Sequence, residues 1–207
     1  MNTRNNSTNE AHTDTSSTRS YHHGDLKSAL IDAARRLLNS KGIEALSLRA
    51  LASEVGVSHM APYAHFKNKT ELFQAIACSG FDDLTQRMQQ VSNQDAAHLQ
   101  ILNYGTQYIE FAIANPALYK QMLTQTQAVP DMTPALQHAS QQPYRLLVSA
   151  FQLLEADLSQ AKIRAQGAWA MVHGLSSLLI DGHLQLPPGM DVKTYLAASS
   201  VPARLAT

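Results

Sequence analysis

Cysteine occurs once in the 207 residues, at Cys78, which excludes an intrachain disulfide framework. Net charge is lacking too, because 16 Lys and Arg offset 16 Asp and Glu. The bulk basic character that marks many nucleic-acid binders is therefore missing, and any basic footprint has to be local. No apolar run is long enough to span a bilayer, and the opening MNTRNNSTNE has no apolar signal core. A cytoplasmic location with no membrane partner is the expectation. Strand signals are nearly absent, so the chain reads as all-α. Nucleophile-elbow, phosphate-loop and zinc-spaced patterns are missing as well, and the histidines and acids do not group at useful intervals. Neither catalysis, nor a metal, nor a cofactor is expected.

What the chain does contain is a dense series of helical patterns, and the most informative is Leu48 to Phe66, LRALASEVGVSHMAPYAHF. Ser47 is a candidate N-cap, and Leu48, Leu51, Ala52 and Val55 recur at helical spacing. Gly56 follows where a sharp change of direction favours positive φ, and Val57 can return to the core. Ser58 can cap a second helix, while Ala52 is small enough to let two helices cross closely. His59, Met60, Tyr63 and Ala64 are left outside the packing face, and a DNA groove is their natural partner.

Around this segment the signals stay consistent. Leu26, Leu30, Ala33, Leu37 and Leu38 form an apolar stripe on a preceding helix capped near Asp25, with Lys27, Arg35, Arg36 and Lys41 as solvated charges outside it. Gly42 ends that helix. Asn68 is a good N-cap for a helix beginning KTELFQAI, and Glu71 three residues later completes a capping box. Phe66 and Phe73 fall on the apolar side. The first twenty or so residues are rich in Asn, Thr and Ser and read as a disordered arm. Arg4 and Arg19 in that arm are either groove contacts or simply solvated.

Residues 22 to 80 resemble the DNA-binding domain of the TetR/AcrR family of bacterial repressors. The resemblance rests on DLKSALIDAARRLLNSKGIEALSL, LASEVGVS, the segment Tyr63 to Phe66, and KNKTELF, in order and in spacing. Pro62 departs from the commoner aliphatic residue and should shorten or tilt the recognition helix. Trp169, His173 and Gly174 are similar to a subgroup whose ligand domain carries a Trp-His-Gly signature. The resemblance implies an all-α chain: arm 1–20, a three-helix helix-turn-helix DNA-binding domain 21–68, a connecting helix 69–93 and a larger helical ligand-binding and dimerisation domain 94–207. It further implies a homodimer on double-stranded DNA with an inverted-repeat operator, released by a small-molecule effector of unknown identity. An activator, or a structural dimer that binds a protein partner, is the alternative on the same fold.

For DNA, Tyr63, His65 and Lys69 match family positions that clamp phosphates, with Lys67, Ser47 and Arg49 as further backbone candidates. Ser58 opens the recognition segment. His59 and Met60 suit base edges, since a hydrogen-bonding ring and a flexible apolar chain match purine N7 and thymine methyl groups; the alternative is a non-contacting surface. Free amides at the start of the Lys69 helix would attract a phosphate.

Beyond residue 80, helices are expected from Phe81 to about Ser92, from Asp95 to Asn115-Pro116, through ALYKQMLTQ, from Pro134 to Glu155 with a possible bend at Pro143, from Asp157 to Ile180, and from Asp191 to about Ser199. Apolar residues occupy more than one face of ILNYGTQYIEFAIA and AWAMVHGLSSLLI, more than inward packing requires. Tyr104, Tyr108, Phe111, Met122, Phe151, Trp169 and His173 are the candidate effector-binding residues, each with core packing as its competing role. The resemblance places a four-helix dimer interface near 134–155 and 158–180. Gly167 and Gly174, inside a helix, point to close helix approach or to room for a ligand.

Overall fold

The computed structural model describes residues 23–92, 94–127 and 131–199. The expected arm, with Arg4 and Arg19, lies outside them. Eight α-helices and two 3₁₀ turns follow in order: α1 (His23–Lys41), a 3₁₀ turn (Ile43–Ala45), α2 (Leu48–Val55), a second 3₁₀ turn (Ala61–Ala64), α3 (Lys69–Gln89), α4 (Ala97–Ala114), α5 (Pro116–Gln127), α6 (Pro134–Gln152), α7 (Leu158–Ile180) and α8 (Val192–Ser199). No strand occurs among the described residues.

The first unit is built on the α1 stripe, whose five apolar residues are all buried together with Ala34. Gly42 ends α1 at φ 78°, where a side chain would be strained. The helix begins at His23, two residues before the expected cap. Arg35 is not simply solvated, because its Nη2 donates to the Asp83 carboxylate at 2.5 Å and ties α1 to α3. Ser47 caps α2 by accepting from the Ala50 N–H at 3.1 Å, and Gly56 closes it in the left-handed region at φ 76°.

α3 is the spine of the molecule. Asn68 Oδ1 accepts from the Glu71 N–H at 2.9 Å, but Glu71 reaches back to the Lys67 N–H at 2.8 Å rather than to that of Asn68, so the reciprocal box is displaced by one residue. From there 21 residues run without a break, about 32 Å at 1.5 Å per residue. α3 packs chiefly on α5 and α6. Gly80 makes the α5 contact possible: a Cβ there would lie 2.5 Å from Met122 Sδ and 3.3 Å from Leu118 Cδ1. Gln74, buried in α3, donates to the Asp131 carbonyl and accepts from the Thr133 N–H, which satisfies both ends of its amide and pins the entry to α6.

The remaining helices close a second layer in which α4 packs on α7 and α8, and α6 on α7. Asn115 caps α4 and Pro116 opens α5, where its missing N–H costs nothing. α4 starts at Ala97, two residues after Asp95, and α6 continues through the buried Pro143. Asp157 caps α7 by accepting from the Ser159 N–H.

Candidate DNA-binding face and effector cavity

The segment after α2 is not the α-helix its sequence pattern predicts. Val57 and Ser58 belong to no regular element, His59 and Met60 form a turn, and only Ala61–Ala64 is helical, as a single 3₁₀ turn. Ser58 does not cap it through its side chain; the cap position is Met60, and Ser58 contributes only its carbonyl, which accepts from the Ala61 N–H. Pro62 explains the difference. It lacks an N–H and holds φ near −65°, and with its ring buried its carbonyl accepts from both His65 and Phe66, closing the turn within one revolution.

Burial then sorts the side chains. Leu48, Leu51, Ala52, Pro62 and Phe66 anchor the unit from below. Arg49, Ser58, His59, Met60 and Tyr63 stand on the outside, Met60 at 72% exposure and Tyr63 at 50%. Ser47 is also exposed, though its hydroxyl is engaged in the α2 cap. His65 is half-buried, and its Nε2 is enclosed with no hydrogen-bond partner. Lys67 is largely exposed, 3.7 Å from Glu71, and Lys69 Nζ lies 5.1 Å from the centre of the Phe73 ring, which packs against the core. Among the described residues, the N–H groups of Lys69 and Thr70 have no acceptor, since Asn68 takes only that of Glu71. Two unpaired donors, a helix dipole and two lysines therefore face solvent beside Tyr63, a constellation suited to a phosphate.

The second site is a cavity of about 570 Å³ bounded by α3, α4, α6, α7 and α8. Of the aromatic residues named from sequence, Tyr104, Tyr108, Phe151 and Trp169 line it. Phe111 and Met122 do not. Both are 1% exposed and spent on packing, Phe111 with the Arg87 guanidinium over its ring and Met122 against Gly80. His173 stands one step behind the wall: its Nδ1 is 3.1 Å from the Tyr108 hydroxyl and 3.3 Å from that of Tyr119, and those hydroxyls are 3.1 Å apart. Burial lowers the His173 pKa, and burial raises that of Tyr108. A neutral ring accepting one hydroxyl, while the second hydroxyl donates to the first, fits this geometry. Trp169 meets Tyr108 and Tyr144 edge-on at 5.0 and 5.8 Å, fixing the wall on that side.

Sequence reasoning missed several parts of this wall, Met88 and Arg164 among them. Met88, near the end of α3, lines the cavity and is 2% exposed, so one helix touches both sites. Arg164 lies on the rim, where its charge looked like any solvated helix residue. Gly167, one of the two helix glycines read as close approach or room for a ligand, opens onto the cavity, with nothing within 4 Å of where its Cβ would stand. Among the described residues no group of side chains is placed to hold a metal, and no helix is long and apolar enough to cross a membrane.

A helix-turn-helix unit with an exposed polar and aromatic segment, carried on a helical body with an aromatic-lined cavity, defines a class of DNA-binding regulator. The chain belongs to the TetR family of bacterial transcriptional regulators, whose members are not enzymes: the family description "Bacterial regulatory proteins, tetR family" matches residues 30–76 and "Tetracyclin repressor-like, C-terminal domain" matches 101–197. Over its length the fold is similar to a protein of unknown function from Rhodococcus sp. RHA1, with a TM-score of 0.75 and 30% identity, covering 87% of this chain and 94% of that one. The HTH-type nicotine-responsive transcriptional repressor of Paenarthrobacter nicotinovorans is 40% identical over 67 residues, 32% of this chain and 34% of that protein. The class C tetracycline repressor protein of Escherichia coli is 47% identical over 51 residues, 25% of this chain and 23% of that protein. The match thus spans about a third of the first of these curated relatives and under a quarter of the second. The structure of BioQ with its double-stranded DNA operator shares the fold at a TM-score of 0.56 and 21% identity, covering 79% of this chain and 89% of that one.

Proposed function

We propose that this protein is a repressor that binds an inverted-repeat operator as a homodimer and is released by a small molecule bound in the α4–α6–α7 cavity. The observation that carries the reading is the outward face of residues 58–64 beside the capped start of α3. In this reading residues 21–68 form the DNA-binding head, 69–93 the connecting helix, and 94–207 the ligand and dimer domain. Tyr63, Lys67, Lys69, Arg49 and the α3 amides take phosphates, and His59 and Met60 meet base edges. His65 contributes through whichever part of its half-buried ring the DNA reaches.

Support for the dimer comes from α7. Ile163, Gly167, Met171, Gly174 and Leu178 recur at helical spacing, and all five are exposed. Leu153 and Leu154 after α6 and Leu158 at the start of α7 are further exposed apolar side chains. A two-fold partner would cover it and set the two heads about 34 to 36 Å apart, or at a multiple, as half-sites on one DNA face require. Support for control by ligand comes from α3, which starts at the DNA face and ends with Met88 in the cavity wall. A ligand that reverses the population from about 1:99 to 99:1 must prefer one state by roughly 5.5 kcal/mol.

The test is binding of the purified protein to the DNA flanking its own gene, titrated with salt against a scrambled competitor. Saturable binding that survives the competitor and weakens steeply with salt is the expected result. Binding indifferent to sequence at every salt concentration would count against an operator there.

A further inference from the structure

The effector cavity has a chemical bias that its aromatic content alone does not reveal. Its interior is set by buried Tyr104, Tyr108, Leu147, Phe151 and Val172, and its rim by exposed side chains that include Arg164. Among the described residues, no Asp or Glu lines it, and Arg164 is its one lysine or arginine. Tyr104 is 5% exposed, yet its hydroxyl has no hydrogen-bond partner among the described residues and it lines the cavity. That oxygen is not sealed off but open to the cavity space, where an entering group can meet it. The wall therefore offers a free hydroxyl and a guanidinium to whatever enters, and no negative charge.

Arg164 is also held ready. Its guanidinium carbon lies 5.4 Å from the centre of the Phe151 ring, and its Nη1 is engaged by the Glu155 carboxylate, which is not part of the wall. A guanidinium has five N–H donors in a rigid fork, so one carboxylate contact leaves others for a second. An aromatic cavity can alternatively take a cation by cation–π attraction. Here the Phe151 ring already carries a guanidinium, no carboxylate lines the wall, and the nearby Glu155 carboxylate is engaged by that guanidinium.

Resting on the reading of this cavity as the effector site, we propose that the effector is an amphiphilic monocarboxylate: an apolar body among the rings, with a carboxylate received at the rim by Arg164.

Trp169 is the one tryptophan of the chain and stands in the cavity wall, so its emission reports occupancy directly. Decanoate, decan-1-ol and decylammonium, titrated below their micelle concentrations, compare one apolar body with three head groups. Decanoate should bind at least about tenfold more tightly than either other probe, the scale of one charge-assisted hydrogen-bond pair. Arg164→Gln should bring decanoate down to the affinity of decan-1-ol while leaving decan-1-ol unchanged, which also shows that the variant is folded. Equal binding of decanoate and decan-1-ol, or tightest binding of decylammonium, overturns the carboxylate proposal but leaves the cavity a ligand site. No response of Trp169 to any of the three overturns both readings.

Discussion

Gly174→Ala in α7 makes two effects of opposite sign measurable in one molecule. In the isolated chain the new Cβ would meet nothing within 4 Å. A glycine in a helix interior costs about 0.8 to 1 kcal/mol relative to alanine, so the substitution should stabilise the subunit by about that much. If α7 packs against its two-fold mate, however, each interface holds two new methyl groups at the closest approach of the helices. Overpacking a tight contact costs about 1 to 3 kcal/mol, which raises the dimer dissociation constant roughly 5- to 150-fold. Sedimentation equilibrium over a range of concentrations measures the dissociation constant, and urea unfolding below it measures the subunit. Weaker dimers made of more stable subunits are expected. A variant that dimerises like the parent refutes the close approach at Gly174, whatever its effect on stability.

Other expectations follow from the two sites. Tyr63→Ala and Lys69→Ala should each weaken operator binding with the circular dichroism spectrum unchanged, but only Lys69→Ala, which removes a charge, should lower the slope of log K against log salt by about 0.9; unaltered affinity in Tyr63→Ala, or an unaltered slope in Lys69→Ala, would remove that residue from the phosphate contacts. Asn68→Ala should cost about 1 kcal/mol of stability by freeing the Glu71 N–H, read as a lower urea midpoint at constant m-value. His173, whose folded pKa is depressed by burial, stabilises the fold fully above its unfolded pKa near 6.5, and that stability is lost as pH falls below about 6.5 toward the folded value. Melting temperatures from pH 7.5 to 5 should therefore fall more steeply for the parent than for His173→Gln, and parallel curves would refute the contribution.

The helices were legible because their ends carry their own chemistry. Ser47, Gly56, Asn68, Asn115-Pro116 and Asp157 each mark a boundary through a cap or a lost donor, and those boundaries hold to within about two residues. In the recognition segment Ser58 reads as the cap of a helix that Pro62 should shorten or tilt; the shortening goes further than expected, to one 3₁₀ turn closed by the shared Pro62 carbonyl, and Ser58 gives no side-chain cap. In the second site, aromatic residues were visible but their allegiance was not. Tyr108 and Phe111 sit three residues apart on α4, and only packing from α5 and α7 sends one to the cavity and the other to the core. Arg164 was invisible for a different reason: its role depends on Glu155 and Phe151, one across a helix boundary and one on another helix, and neither spacing carries a local pattern.

The contact of Gly80 with Met122 and Leu118 has a mechanical consequence. It holds α3 near its middle, with Met88 eight residues to one side and Lys69 eleven to the other. At 1.5 Å per residue the arms are about 12 and 16 Å, so a rigid rod pivoting there converts a push of 1 Å at the cavity end into about 1.4 Å of opposite travel at the DNA end. Two-fold symmetry would apply that travel to both heads at once. The leverage is mild, but in the proposed dimer both heads would have to fit their grooves together, so a small tilt of α3 would be enough to spoil the spacing.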